Sequence, residues 1–199
     1  MRRWGIVLLA ICWPDAAFAH GSVPGLQGIY WGMLHPFTSA PQLLALLAMS
    51  LVIQQRLPQS EDMFHGFWVS CLAGAGAAAL GLSGHNPDLA FTLLAIAGGI
   101  LAASAIRLPF AALLLLGVCC GLLSGYLAWP DPGAGGDMMF AALGAIIGAV
   151  LIVILVAGMI EAAWRATNWL WLPVAVRIAA SWVTAIAVML GALLLRNMK

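Results

Sequence analysis

Six apolar stretches, at about 26–54, 64–82, 89–106, 109–128, 138–160 and 174–195, fill most of this chain. Each approaches or exceeds the roughly 20 residues a helix needs to cross a bilayer. A backbone surrounded by lipid must satisfy its own hydrogen bonds, so runs of this kind become helices. Only 8% of the residues are charged, against about 25% in soluble domains, and the mean hydropathy is +1.04. The expected fold is an all-α polytopic membrane protein surrounded by lipid. It should have about six transmembrane helices in one domain over 20–199, behind an N-terminal signal peptide.

The signal peptide is expected at 1–19. Arg2 and Arg3 give a basic start, Trp4 to Trp13 form a short apolar run, and Ala17-Phe18-Ala19 is a small-x-small cleavage site. The alternative is an uncleaved N-terminal helix. Cleavage would leave His20-Gly21 as the mature terminus on the far side of the membrane.

Loop charge then sets the orientation. With that terminus outside, Arg56, Arg107, Arg165 and Arg177 fall on the cytoplasmic side. The loops near 83–88 and 129–137 contain no Lys or Arg and fall outside, the positive-inside pattern. Arg196 and Lys199 then lie outside, a mild conflict. The expected location is a bacterial inner membrane with a periplasmic mature N-terminus. Arg107-Leu108-Pro109 is barely a loop, so the third and fourth spans should form a tight hairpin. Trp164, Trp169 and Trp171 suit an interfacial belt.

The first span is the unusual one. It carries His35-Pro36, Ser39, Pro41 and Gln42 in apolar surroundings. Each proline removes a backbone donor and strains a continuous helix, so a broken or re-entrant start is expected. Polar groups at that depth need partners within the protein or beside a cavity. His35 can ligate a transition metal, carry a proton or simply hydrogen-bond across helices. His20, as a free terminus, would offer an amine and an imidazole for copper or nickel. His85, in an outside turn with Asn86 and Asp88, is a weaker external ligand or a solvated loop residue.

Other polar residues have simpler explanations. Glu61 and Asp62 can compensate the positive end of the second span, with His65 just behind them. Glu161 and Arg165 have the spacing of an ordinary helix pair, and Arg177 can reach the cytoplasmic surface. Ser124, Tyr126 and Ser181 are candidates for hydrogen bonds between helices. Gly144-x-x-x-Gly148 fits close helix approach. Cys71, Cys119 and Cys120 read as small apolar residues, and Cys12 would leave with the signal.

The residues give no mechanism for an enzyme: there is no Walker loop, His-Glu-x-x-His or Gly-x-Ser-x-Gly motif. The absence of a mid-membrane carboxylate gives proton pumping no support. A net charge of +1 gives none to nucleic-acid binding.

The arrangement resembles the HupE/UreJ family of small membrane proteins, associated with nickel uptake and, in related members, cobalt. That family has a cleaved signal, a histidine near the mature terminus and six spans. Its first span carries His-Pro-x-x-Gly-x-Asp-His. In the same frame this chain has His35 and Pro36, but Ser39 for the glycine, Pro41 for the aspartate and Gln42 for the second histidine. A second family motif, close to His-Gly-x-Ala-His-Gly, looks like Cys120-Gly121-Leu-Leu-Ser124-Gly125. Its glycines remain and its histidines do not. The Arg177-Ile-Ala-Ala stretch is similar to the family's closing segment.

The resemblance implies uptake of nickel, cobalt or copper through His20, His35 and His85, aided by Cys120, Ser124 and carbonyls freed at Pro36 or Pro41. The alternative is a non-transporting structural or accessory subunit of a larger membrane complex.

Overall fold

The computed structural model describes residues 28–56, 61–82, 87–106, 108–129 and 138–197. The expected signal peptide, His20, Arg107 and the turn containing His85 lie outside the described residues. Among the described residues there are seven helices and no strand. They are α1 (Ile29–Thr38), α2 (Ala40–Gln54), α3 (Glu61–Ala79), α4 (Asp88–Ser104), α5 (Phe110–Ala128), α6 (Met138–Thr167) and α7 (Leu172–Asn197). All six expected stretches are helical, and the first is divided in two.

Three helices, α5, α6 and α7, are long and apolar enough to cross a membrane. The broken pair α1–α2 makes a fourth candidate when taken as one span, and α4 is a shorter apolar helix. The chain is a multi-pass α-helical membrane protein. At 30 residues, α6 measures about 45 Å, longer than the roughly 30 Å hydrocarbon core. Its excess turns carry the Glu161–Arg165 ion pair, 2.7 Å and one turn apart. Arg165 is largely exposed, so the pair contributes about 0.3–0.5 kcal/mol.

Helix α2 is the central post. Leu46 and Ala48 are fully buried, and nine other residues along its length are buried around them. A helix that is apolar all round sits inside other helices. Accordingly α2 touches every other helix among those described. Phe67, Phe91, Met49 and Met63 fill the largest enclosed positions.

Glycines fix how the outer helices cross. A β-carbon on Gly117 would lie 2.7 Å from the Met63 carbonyl oxygen. One on Gly121 would overlap the Phe67 carbonyl, and one on Gly125 the Cys71 carbonyl. The contacts advance together, four residues at a time, so α3 and α5 run in the same direction. Small residues at this spacing allow backbones to approach closely, where Cα–H groups can also contact carbonyls. Gly144 and Gly148 do the same against the carbonyls of Ile29 and Met33. This Gly-x-x-x-Gly pair therefore serves a contact within the chain, with α1 and α6 also parallel. Helices α4 and α7 are antiparallel, because Gly99 meets Ala180 and Thr184 while Gly191 meets Thr92.

These directions put the end of α2, the start of α3, the end of α4, the end of α6 and the start of α7 at one end of the bundle. Arg56, Arg165 and Arg177 all lie there.

The expected tight hairpin between α4 and α5 is corrected. Their connection is short, but α4 rests mainly on α2 and α7, and α5 mainly on α3. Helix α4 stops through Ala105, whose φ of 54° is left-handed and whose amide bonds the Leu101 carbonyl at 3.0 Å. An L-residue is strained there by roughly 1–2 kcal/mol. Allowing for the greater chain entropy of glycine, Ala105→Gly should raise unfolding stability by about 0.5–1 kcal/mol. Chemical unfolding in detergent measures it.

Candidate functional site

The break between α1 and α2 follows from its residues. Pro36, inside α1, cannot donate to the Gly32 carbonyl one turn back, and its ring crowds that carbonyl. The helix ends two residues later, and Thr38 Oγ1 donates to the His35 carbonyl at 2.7 Å. Ser39 takes an extended conformation with φ −95° and ψ 103°. It then starts α2 as its N-cap, with Pro41 in the first turn, where a missing amide hydrogen costs least. The Ser39 hydroxyl accepts a long bond of 3.4 Å from the Gln42 amide, and its carbonyl a 2.9 Å bond from the Leu43 amide. The two helices meet at 83°.

Gln42 is the outstanding side chain at this break. It is 1% exposed, and neither its amide nitrogen nor its amide oxygen has a hydrogen-bond partner among the described residues. Three of the other buried polar side chains are satisfied within their own helices. Ser50 bonds the Leu46 carbonyl, Ser70 that of Phe67, and Thr92 that of Asp88. An unsatisfied buried group costs about 1–3 kcal/mol, and the Gln42 amide offers both donors and an acceptor. Six residues earlier, on α1, Pro36 is buried, and the preceding His35 is half-buried.

The second group of sequence candidates serves a different purpose. Cys120, Gly121, Ser124 and Gly125 are all buried on one face of α5. Gly121 and Gly125 abut Phe67 and Cys71 of α3. The Ser124 hydroxyl has the Cys120 thiol beside it, one turn back, and makes no conventional hydrogen bond. Ser181 does not bridge helices as expected, since its hydroxyl bonds the Arg177 carbonyl of its own helix at 3.0 Å. Cys71, Cys119 and Cys120 are free thiols. Among the described residues no group of three or more His, Cys, Asp or Glu side chains assembles to hold a metal ion.

Two features at the arginine-bearing end escaped the sequence reading. A cavity of about 260 Å³ lies between α2, α3 and α6, with apolar walls that include Ile53, Phe64 and Val153. Glu61, His65 and Glu161 also line it. Beside it, three donors converge on the carbonyl end of α4. Gln55 Nε2 donates to Ala102 O at 2.8 Å, Arg177 Nε to Ala103 O at 2.8 Å, and Arg56 Nη2 to Ile106 O. Arg56, Arg107, Arg165 and Arg177 were expected on one side of the membrane from the sequence, but nothing there said that two of them would meet at the end of α4.

Comparison with family models, with curated proteins and with solved structures found no match for the chain.

Proposed function

We propose that this protein takes up a transition-metal ion, nickel, cobalt or copper, across a bacterial inner membrane, in the manner the HupE/UreJ resemblance implies. The observation that carries the reading is Gln42, a fully buried amide without partners at a helix break. Irregular backbone within a membrane protein is tolerated where it is buried in protein or lines a cavity, and broken helices with free polar groups are a common construction of transporter sites. On this reading the arginine-bearing end is cytoplasmic. The ion approaches from the periplasmic side, where His20 and His85 collect it. It then exchanges hydration water for the His35 imidazole, the Gln42 amide oxygen and carbonyls released by Pro36 and Pro41. Imidazole suits nickel, cobalt and copper, whereas neutral oxygens hold them weakly. A site with few strong ligands lets the ion leave as well as arrive.

The purified protein is expected to bind one of these ions, and His35→Ala to reduce uptake in intact cells several-fold. Unchanged uptake in that variant, together with no measurable binding by the wild type, contradicts the proposal.

A second reading has its own observation. Along α7 only Val176, Ala180, Ala187 and Gly191 are buried, while α5 uses its motif positions to pack on α3. A structural subunit of a larger membrane complex would use such a chain as a scaffold. Purification in mild detergent with a fixed-stoichiometry partner supports this reading; a solitary protein with robust metal flux excludes it.

A further inference from the structure

The carbonyl end of α4 holds two arginines whose charge the fold does not use up. Arg56 comes from the end of α2 and Arg177 from the first turns of α7. Arg177 is pinned by one nitrogen to the Ala103 carbonyl of α4, and Arg56 by one to the carbonyl of Ile106, two residues past the end of the helix. Neither forms an ion pair with a carboxylate among the described residues; the pair found there is Glu161–Arg165. A helix C-terminus supplies only about half a negative charge, so two guanidinium ions remain under-compensated. A guanidinium has five N–H donors in a planar fork, and one nitrogen of each is engaged. The remaining donors suit phosphate oxygens, which arginine binds in bidentate fashion.

The neighbouring surface is apolar. Ile100 and Ile106 on the α4 side, and Val174 and Ile178 flanking Arg177, are each at least half exposed. Fixed positive charge at the bundle end, with exposed aliphatic side chains next to it, matches a phosphate headgroup attached to acyl chains.

We propose that Arg56 and Arg177 form a binding site for an anionic phospholipid, taking its phosphate at the carbonyl end of α4 and its acyl chains along α4 and α7. Basic pockets between membrane helices hold anionic headgroups in this way. The bound lipid would tie α2, α4 and α7 together at one interface. The site does not rest on metal transport.

The test is lipid retention by the full-length protein in detergent, read by native mass spectrometry, together with its melting temperature. Phosphatidylglycerol should be retained and should raise the melting temperature, whereas phosphatidylcholine should do neither. The double variant Arg56→Gln/Arg177→Gln should retain phosphatidylglycerol about thirtyfold less, given about 1 kcal/mol for each arginine near an anionic surface. Arg177→Lys, which keeps the charge but loses the fork, should fall between. Equal retention of the two lipids by the wild type overturns the proposal, and this comparison stands even where the double variant does not fold. Full phosphatidylglycerol retention by a folded double variant also overturns it. So does an equal rise in melting temperature with inorganic phosphate alone, which would assign the arginines to a free anion.

Discussion

Gly125→Leu is expected to prevent stable folding of the bundle. A β-carbon at that position falls within the Cys71 carbonyl group, and the obstacle is backbone rather than the tip of a flexible side chain. The two helices must separate to admit any side chain. Separation would also open the contacts of Gly121 with Phe67 and of Gly117 with Met63. Overpacking typically costs 1–3 kcal/mol, and moving a whole helix seam reaches at least about 3 kcal/mol, a large fraction of the 5–15 kcal/mol stability common to folded proteins. Gly125→Ala should destabilise by a smaller amount in the same direction. Gly76→Ala is the control, because a β-carbon there meets nothing within 4 Å. It should be neutral or stabilising by up to about 1 kcal/mol, since alanine favours the helix. Thermal unfolding of the four proteins in one detergent gives the ranking; equal melting temperatures for Gly125→Leu and the wild type would contradict the α3–α5 seam.

Gln42→Met is expected to have the opposite effect on stability. The amide is buried without partners, so the folded protein bears an unsatisfied desolvation cost of about 1–3 kcal/mol. Methionine has a similar length and volume and needs no hydrogen bonds. It should therefore raise unfolding stability by about 1–3 kcal/mol, read as a higher denaturant midpoint with an unchanged slope. Gln42→Ala should destabilise instead, because it leaves a cavity in the most enclosed helix of the bundle. A residue whose replacement stabilises the fold is retained for something other than folding, since functional sites commonly sacrifice stability. Destabilisation by Gln42→Met would mean that the amide has partners in the folded protein, and would return the break to a purely structural role.

Much of this architecture was legible because lipid leaves the backbone few choices. Long apolar runs had to be helices, and Pro36 with Pro41 had to interrupt the first. The Glu161–Arg165 pair followed from helical spacing alone. The choice of partner helices was not legible. Gly144-x-x-x-Gly148 announces a close approach without saying that Ile29 and Met33 lie opposite. A short connection after α4 suggested that α5 would pack against it, yet glycine complementarity sends α5 to α3. Ala105 carries no glycine to signal its left-handed turn.

The site was legible in part. His35, Pro36, Ser39, Pro41 and Gln42 are contiguous, so any break there gathers them. That Gln42 would be enclosed without partners depends on the helices around α2, which one sequence does not place. The motif-like face of α5 illustrates the same limit. Gly121 and Gly125 read equally well as part of a ligand motif or as packing surface, and the register with α3 assigns them to packing. Arg177 is exposed, and it also bonds the Ala103 carbonyl, a partner the sequence did not indicate, because the unsatisfied carbonyls of α4 lie within reach.

The most direct test of the account is ion flux into proteoliposomes containing wild-type protein or Gln42→Met, with nickel, cobalt and copper each supplied outside. The account predicts measurable flux of at least one ion through the wild type, and a loss of about tenfold or more in a variant that is at least as stable, since removing one polar ligand of a passing ion typically weakens the site by that much. Equal flux through a stably folded Gln42→Met, or no flux of any of the three ions through the wild type, would contradict it.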